Sequence, residues 1–302
     1  MRSRQAMDFA LTELKERIAR WTGGSESYAS PATGLSLFQL NCPTDPKTVV
    51  SEPSLCLIAQ GSKRLLVGDE SYVYNTDRYL LTSVHLPTVV CVAEASPEKP
   101  YFGIRIRLDQ QQLSQLMADS QLPPPRNQQP SRGIATAAVA PPLLSAVLRL
   151  VELLDDERDI PILAPTIQKE IIYRLLVGEL GTRLRQIATV GSLTNEVSRA
   201  IDWIKENYHN TLDVDDLASR ARMSRSTFYQ HFRSVTAMSP LQYQKLIRLQ
   251  EARRLMLTEH LDAASAGHRV GYGSPSQFSR EYSREFGASP LRDVAGLREA
   301  VR

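Results

Sequence analysis

Long apolar runs are missing from this 302-residue chain. Nothing in it approaches the ~18 consecutive apolar residues that a membrane span needs, so no membrane segment is expected. The opening stretch MRSRQAMDFALTELKERIARW mixes acids and bases throughout and lacks the basic, apolar and cleavable order of an export leader. Cysteine is scarce as well. Cys42, Cys56 and Cys91 make no C-x-x-C pair and leave an odd thiol, so neither a disulfide framework nor a zinc knuckle is expected, and a reducing cytoplasm fits best. Histidine is thin where a metal enzyme would need it: only His85 lies in the N-terminal half, while His209, His231, His260 and His268 lie beyond. Metal chemistry usually gathers several nitrogen or carboxylate ligands on one ion. His85 therefore reads as structural, and no catalytic residue, metal ligand or cofactor is expected.

Net charge is nearly absent too, with 36 Lys and Arg against 33 Asp and Glu. The balance is uneven along the chain, however. Between Ser224 and Arg254 stand Arg225, Arg233, Lys245, Arg248, Arg253 and Arg254 against the single acid Glu251. Such a concentration is the electrostatic footprint of phosphate binding, or equally a solvated basic helix face. With 42% hydrophobic and 23% charged residues, the chain is an ordinary globular protein long enough for two cores.

Residues 4–21 carry Leu11, Leu14, Ile18 and Trp21 at helical spacing and stop at Gly23-Gly24, predicting an amphipathic helical arm within residues 1–25. From about 34 to 108 come short apolar or alternating runs, among them GLSLFQL, LCLIAQG, TVVCVA and YFGIRIRLD. Gly68-Asp69 predicts a hairpin inside KRLLVGDESYVYN, and many short strands at this spacing suggest a sandwich or small barrel. After the proline-rich loop QLPPPRNQQP the period changes: PLLSAVLRLVELLDD and PTIQKEIIYRLLVGEL read as two helices opened by proline. Their broad apolar faces suit packing on the strands or a dimer seam. A polar stretch near TRLRQIATVGSLTNE marks the domain boundary, which divides the chain into 26–187, a linker at 188–196, and 197–302. Cys56 and Cys91 sit in apolar strand runs and read as small hydrophobes, with thiol sensing as the alternative.

The C-terminal part writes one pattern twice. GSPSQFSREYSREFGASP (273–290) overlies MSRSTFYQHFRSVTAMSP (223–240), sharing Ser, Phe, an aromatic and the closing Ser-Pro. Upstream of the first copy, LDVDDLASRARM is a helix with acids favouring its N-terminus, and Ser224 then caps a second helix. In that second helix Phe228, Phe232 and Val235 share one stripe, while Ser226, Tyr229, Gln230 and Arg233 share the opposite one. Its repeat places Phe278 and Tyr282 inward, with Ser276, Ser279, Arg280 and Ser283 outward. Ala218 and Ala264 are read as small because a closely crossing helix leaves no room for bulk. Between the copies, SPLQYQKLIRLQEARRLMLTE predicts a continuous linking helix of roughly fifteen residues, about 22 Å. The unit is a helix-turn-helix written twice. It implies a grip on double-stranded DNA at two major-groove segments about one ~34 Å turn apart.

LDVDDLASRARMSRSTFYQHFRSVTAMSPLQYQKLIRLQEARRLML and VGYGSPSQFSREYSREFGASP resemble the DNA-binding domain of the AraC/XylS family of bacterial transcription regulators, over residues 195–295. The N-terminal half is similar, more weakly, to the cupin-like effector domain of one branch of that family. The resemblance implies an α+β protein: an N-terminal cupin-like β-barrel with flanking helices, then an all-α domain of two helix-turn-helix motifs joined by a linking helix. It implies a cytoplasmic transcription regulator that answers to a small-molecule effector. Contact with RNA polymerase and a homodimer are further expectations. Carried over by position, base-reading places fall on Ser226, Tyr229 and Gln230 and on Ser276, Gln277, Ser279 and Arg280, with Arg225 next to the phosphates. Ser226 and Ser276 read equally well as shapers of the helix N-terminus. Two alternatives stand beside this reading: a DNA-binding protein whose barrel only dimerises and, more remotely, a cupin-type metalloenzyme fused to a DNA-binding domain. The chain departs from the family twice, with Arg222 where Gly is usual and Gly267 where Ala is usual, each costing on the order of 1 kcal/mol.

Overall fold

Backbone conformation in the N-terminal half follows the alternation of its side chains. The structure, a computed structural model, describes residues 2–123, 131–189 and 191–299. Helix α1 (Arg2–Thr22) opens the chain, followed by strands β1 (Ser27–Ala29), β2 (Leu35–Leu40), β3 (Lys47–Ser51), β4 (Ser54–Gln60), β5 (Ser62–Val67), β6 (Glu70–Tyr74), β7 (Arg78–Thr82), β8 (Leu86–Glu94) and β9 (Tyr101–Arg107). Helix α2 (Gln110–Asp119), strand β10 (Ile134–Ala138) and helices α3 (Pro141–Glu152), α4 (Ile160–Val177) and α5 (Gly181–Ala188) complete this half. The proline-rich stretch read as a loop lies, from residue 124 to 130, outside the described residues.

One antiparallel sheet runs β1-β2-β9-β4-β7-β10 and a second runs β3-β8-β5-β6. They form a cupin-like sandwich rather than a closed barrel: among the described residues β10 and β6 pair on one side only and end their sheets. The hairpin at Gly68-Asp69 is present, with Val67 opposite Glu70. On the larger sheet, Leu35, Leu37, Leu55, Leu57, Ile104 and Ile106 are buried in one cluster with residues of α3 and α4. Each such side chain contributes about 1.5–3 kcal/mol of burial. Helix α1 joins the same cluster through Leu14 and Ile18, so it is a layer of the domain rather than a projecting arm. Helix α4 starts at Ile160, ahead of the proline expected to open it. Pro161 occupies the first turn, and Pro165 lies inside the helix, where its missing N–H forgoes one backbone bond.

The C-terminal half is helical: α6 (Leu193–Glu206), α7 (Val214–Arg220), α8 (Arg225–Thr236), α9 (Pro240–Thr258), α10 (Ala263–Arg269), α11 (Pro275–Phe286) and α12 (Pro290–Glu299). Ser192 caps α6, which therefore begins inside the stretch read as a linker, a stretch whose Val190 lies outside the described residues. A second core runs from the space between the sheets (Leu65, Val67, Tyr74) through Val84, Leu86 and Ile134 into Ile201, Phe228, Phe232 and Tyr243. A third core, separate from it, gathers Leu249, Ala252, Leu255, Met256, Phe278 and Tyr282. Helix α9 thus serves two cores with different parts of its length. Truncating Phe232, fully buried at 0% exposure, to Ala would cost about 3–5 kcal/mol.

Candidate nucleic-acid interface

Two helix-turn-helix units stand on either side of α9, and their local chemistry matches almost atom for atom. Asp213 caps α7 by accepting from the amides of Asp215 (2.9 Å) and Asp216 (3.1 Å), and Asp262 caps α10 by accepting from those of Ala264 and Ser265, both at 2.9 Å. Both first helices end in the same two-bond closure. Met223 N–H donates to Ala218 O (2.9 Å) and Arg222 N–H to Ser219 O (3.0 Å); Tyr272 N–H donates to Gly267 O and Gly271 N–H to His268 O, both at 3.0 Å. This closure requires a left-handed residue, supplied by Arg222 at φ 55° and Gly271 at φ 94°. Ser224 and Ser274 then cap α8 and α11, each accepting at 3.3 Å from the third helical amide.

The second turn carries one extra residue, Gly273, so the offset between copies is 49 before it and 50 after it. Ala218 therefore corresponds to Gly267, and the reading of Ala264 as a close-crossing residue is corrected: Ala264 is exposed. A Cβ on Gly267 would stand 2.9 Å from Cγ of Phe278, which is why even alanine is too large there.

Helices α8 and α11 bury Phe228, Phe232 and Val235 and, correspondingly, Phe278 and Tyr282. The other face is polar. Arg225, Ser226 and Gln230 of α8 are exposed and Tyr229 is half-buried; on α11, Ser276, Gln277 and Arg280 are exposed and Ser279 is half-buried. Arg225 pairs with Asp215 at 3.1 Å and lies over the Tyr229 ring, its guanidinium 5.9 Å from the centroid. Gln277 donates to Glu281 at 3.0 Å, and Arg280 reaches the Ser276 carbonyl at 3.3 Å.

The basic concentration is only partly available to a ligand. Arg248 donates to the carbonyls of Tyr208 (2.6 Å) and Asn210 (2.9 Å). Arg253 forms a two-pronged ion pair with Asp293 at 2.6 and 2.8 Å, Tyr282 donates to the same carboxylate at 2.7 Å, and Arg254 pairs with Glu251 at 2.7 Å. Arg248 and Arg253 tie α9 to neighbouring elements, whereas the Arg254–Glu251 pair lies within α9 itself. The side chain of Arg233 makes no such pair among the described residues and stays exposed on the outward stripe of α8.

The N-terminal half reaches this region at several points that no sequence pattern announces, among them those made by Arg132 and His85. Arg132 donates to the carbonyls of Arg233 and Ser234, and shares a groove of about 620 Å³ with Tyr229, Gln230 and Gln242. Tyr243 donates to the main-chain oxygen of His85 at 3.0 Å, while the His85 ring sits 3.1 Å from Asp202 and 2.7 Å from Lys205. His85 is thus a junction residue rather than part of the space between the sheets.

Comparisons with known proteins agree with this division. Residues 31–183 match the model of the AraC-type transcriptional regulator N-terminus, and residues 217–293 match a helix-turn-helix domain. The HTH-type transcriptional activator RhaS of Escherichia coli O1:K1 is 25% identical over 155 residues, 50% of this chain and 54% of RhaS, so the chain spans about half the length of the curated relatives it matches. Among solved structures, an apo ToxT variant of Vibrio cholerae strain SCE256 covers 88% of this chain and 98% of its own at 13% identity and a TM-score of 0.59. Wild-type ToxT of the same strain bound to an unsaturated fatty acid gives 86%, 94%, 12% and 0.58 for the same quantities. Likeness at that identity is one of fold: an α+β chain of sheets followed by a helical domain. No described helix is long and apolar enough to cross a membrane. With the N-terminal model matched over half its length and the tandem helix-turn-helix behind it, the chain belongs to the AraC-type transcriptional regulators.

Proposed function

We propose that the protein is a cytoplasmic, sequence-specific DNA-binding regulator rather than an enzyme, with residues 26–187 sensing an effector, 188–196 linking, and 197–302 gripping DNA. Ser226, Tyr229 and Gln230 of α8 and Ser276, Gln277, Ser279 and Arg280 of α11 meet base edges, and Arg225 meets phosphate. One observation carries this reading: two helices with matched serine caps, matched buried aromatics and matched polar outer faces, held by the continuous helix α9. The unsaturated fatty acid bound to ToxT, a protein of the same fold, supports a small-molecule effector for this chain. RNA polymerase contact and a homodimer belong to the same reading. Exposed Ile162, Leu163, Tyr173 and Val177 on α4 favour the dimer, and with it a second reading in which the sandwich only dimerises. A small-molecule-dependent change in DNA affinity separates the two.

The grip itself is tested on selected DNA fragments. Inserting five base pairs between the half-contacts turns one by about half a helical turn and should abolish the bipartite footprint. An unchanged footprint means that a single motif engages.

A further inference from the structure

We propose that the cavity between the two sheets is a site for a small organic carboxylate with an apolar body, seated against Lys63 and Arg105. This rests on the reading of the N-terminal half as a sensor, and it names the chemistry sensed.

Strand β5 alternates Lys63, Leu65 and Val67 on one face, and the latter two are buried in the core between the sheets. Lys63 therefore points inward, where hydrocarbon is the rule. Its side chain is largely buried and makes no hydrogen bond or ion pair among the described residues. The groups that act on its charge are a second cation, Arg105, and the thiols of Cys56 and Cys91; burial itself drives its pKa below the ordinary 10.5. Arg105, an exposed residue on the cavity wall, has no acidic partner among the described residues: it lies over the Phe38 ring at 5.6 Å and reaches the Ser36 hydroxyl at 3.5 Å. Glu52 is also on the cavity wall but is not among the groups acting on Lys63.

An uncompensated cation in a nonpolar interior is costly, and proteins ordinarily supply a counterion. Here the counterion is left for a ligand. The cavity is about 210 Å³, walled by apolar Phe38, Val50, Leu65 and Val90 and by Tyr74 and Tyr101. Burial pushes both phenols well above their ordinary range, so each remains a neutral hydroxyl able to donate to an anion. Gly103 makes room for the Tyr101 phenol, with which a Cβ there would collide. At ~30 Å³ per water the cavity would hold about seven waters, which suits an acid of roughly seven to ten non-hydrogen atoms. Inorganic phosphate would satisfy the cations but leave the apolar walls unfilled.

The experiment is thermal denaturation of the full chain without DNA, so its outcome is independent of whether the helical half reads sequence. Hexanoate and phenylacetate are compared with hexanamide, phenylacetamide and inorganic phosphate. At concentrations well above Kd the acids should raise Tm by at least about 3 °C, while the amides and phosphate do not. Lys63→Met should abolish the rise while leaving the unliganded Tm equal or higher, and Arg105→Gln should weaken binding at least about tenfold. In the wild type, hexanoate but not hexanamide should slow reductive methylation of Lys63 read by peptide mass spectrometry, a measurement that needs no variant. The proposal is overturned if no acid shifts Tm, if amides or phosphate act equally, if Lys63→Met keeps the response, or if Lys63 labelling is indifferent to the acid. Binding of the acid with no change in DNA affinity would support the site and count against effector control of DNA binding.

Discussion

Nη1 of Arg132 lies 2.8 Å from the main-chain oxygen of Arg233, joining the N-terminal half to the last turn of α8. The same nitrogen serves Ser234 O at 2.8 Å, and Gly133 N–H donates to Val235 O at 2.9 Å. Three successive carbonyls at the negative end of a helix are thus satisfied from another domain, two of them by a cation, where helix polarity favours one. Replacing Arg132 with Ala should cost about 1–2 kcal/mol. Hydrogen exchange should quicken in the last turn of α8 and stay unchanged in α10 to α12; uniform quickening, or none, would place the coupling elsewhere.

The other edge of Arg132 is held by Glu70, with Nη2 and Oε1 2.5 Å apart. Hydrogen bonds from Arg132 first and Tyr72 second hold the Glu70 carboxyl below its ordinary 4.5. A depressed acid stabilises the folded state above its unfolded pKa and loses that contribution as pH falls through the folded one. The stabilisation is therefore complete at pH 7 and fades below about 4.5. Glu70 is largely exposed, so it is worth about 0–1 kcal/mol. Melting wild type and Glu70→Gln from pH 7 to pH 3 should show a small gap that closes at the acid end. A constant gap would mean that the charge plays no part.

The alternating strands were legible in the sequence because one face of each is buried. Strand β3 was not, since its burial is intermediate through Thr48–Ser51 and leaves no period to detect. Strand β10, IATAA, is built from residues that favour helices as readily. The tandem motif could be read from caps and aromatics, yet Gly273 slipped the upstream register by one and hid the kinship of Ala218 with Gly267. Arg248 and Arg253 looked available as phosphate contacts, because a basic side chain does not reveal that a carbonyl cluster or Asp293 awaits it across the fold. Lys63 was not legible as an inward residue, because Leu65 and Leu66 are both apolar and leave the face of KRLLV undecided; its side and its lack of a counterion appear only when strands β4, β8 and β9 are brought around it.

Arg222 and Gly271 hold equivalent left-handed positions but differ in what surrounds them. A Cβ at Gly271 would overlap His209 O, whereas Arg222 is exposed. Arg222→Gly should therefore stabilise the protein by about 0.5–1 kcal/mol through relief of strain. Gly271→Ala should destabilise it by more than that. Urea denaturation of both variants checks the pair, and loss of stability in Arg222→Gly would show that the arginine side chain outweighs the strain.

Gln230 and Gln277 share a residue type but not a starting state. No hydrogen bond engages the Gln230 amide among the described residues, while Gln277 is committed to Glu281 at 3.0 Å. Among the described residues Arg280 is held only by a 3.3 Å contact with the Ser276 carbonyl. A side chain that must first abandon a partner returns less on binding, so the ranking follows from the unbound geometry. Gln230→Ala and Arg280→Ala should each lose about 1–3 kcal/mol on the specific site and relax preference at one or two base pairs, with random-sequence binding little changed. Gln277→Ala should lose less than either. Titrations of the three variants on specific and random duplexes at one fixed salt concentration decide it. Equal losses on both duplexes would reassign these side chains to the phosphate backbone.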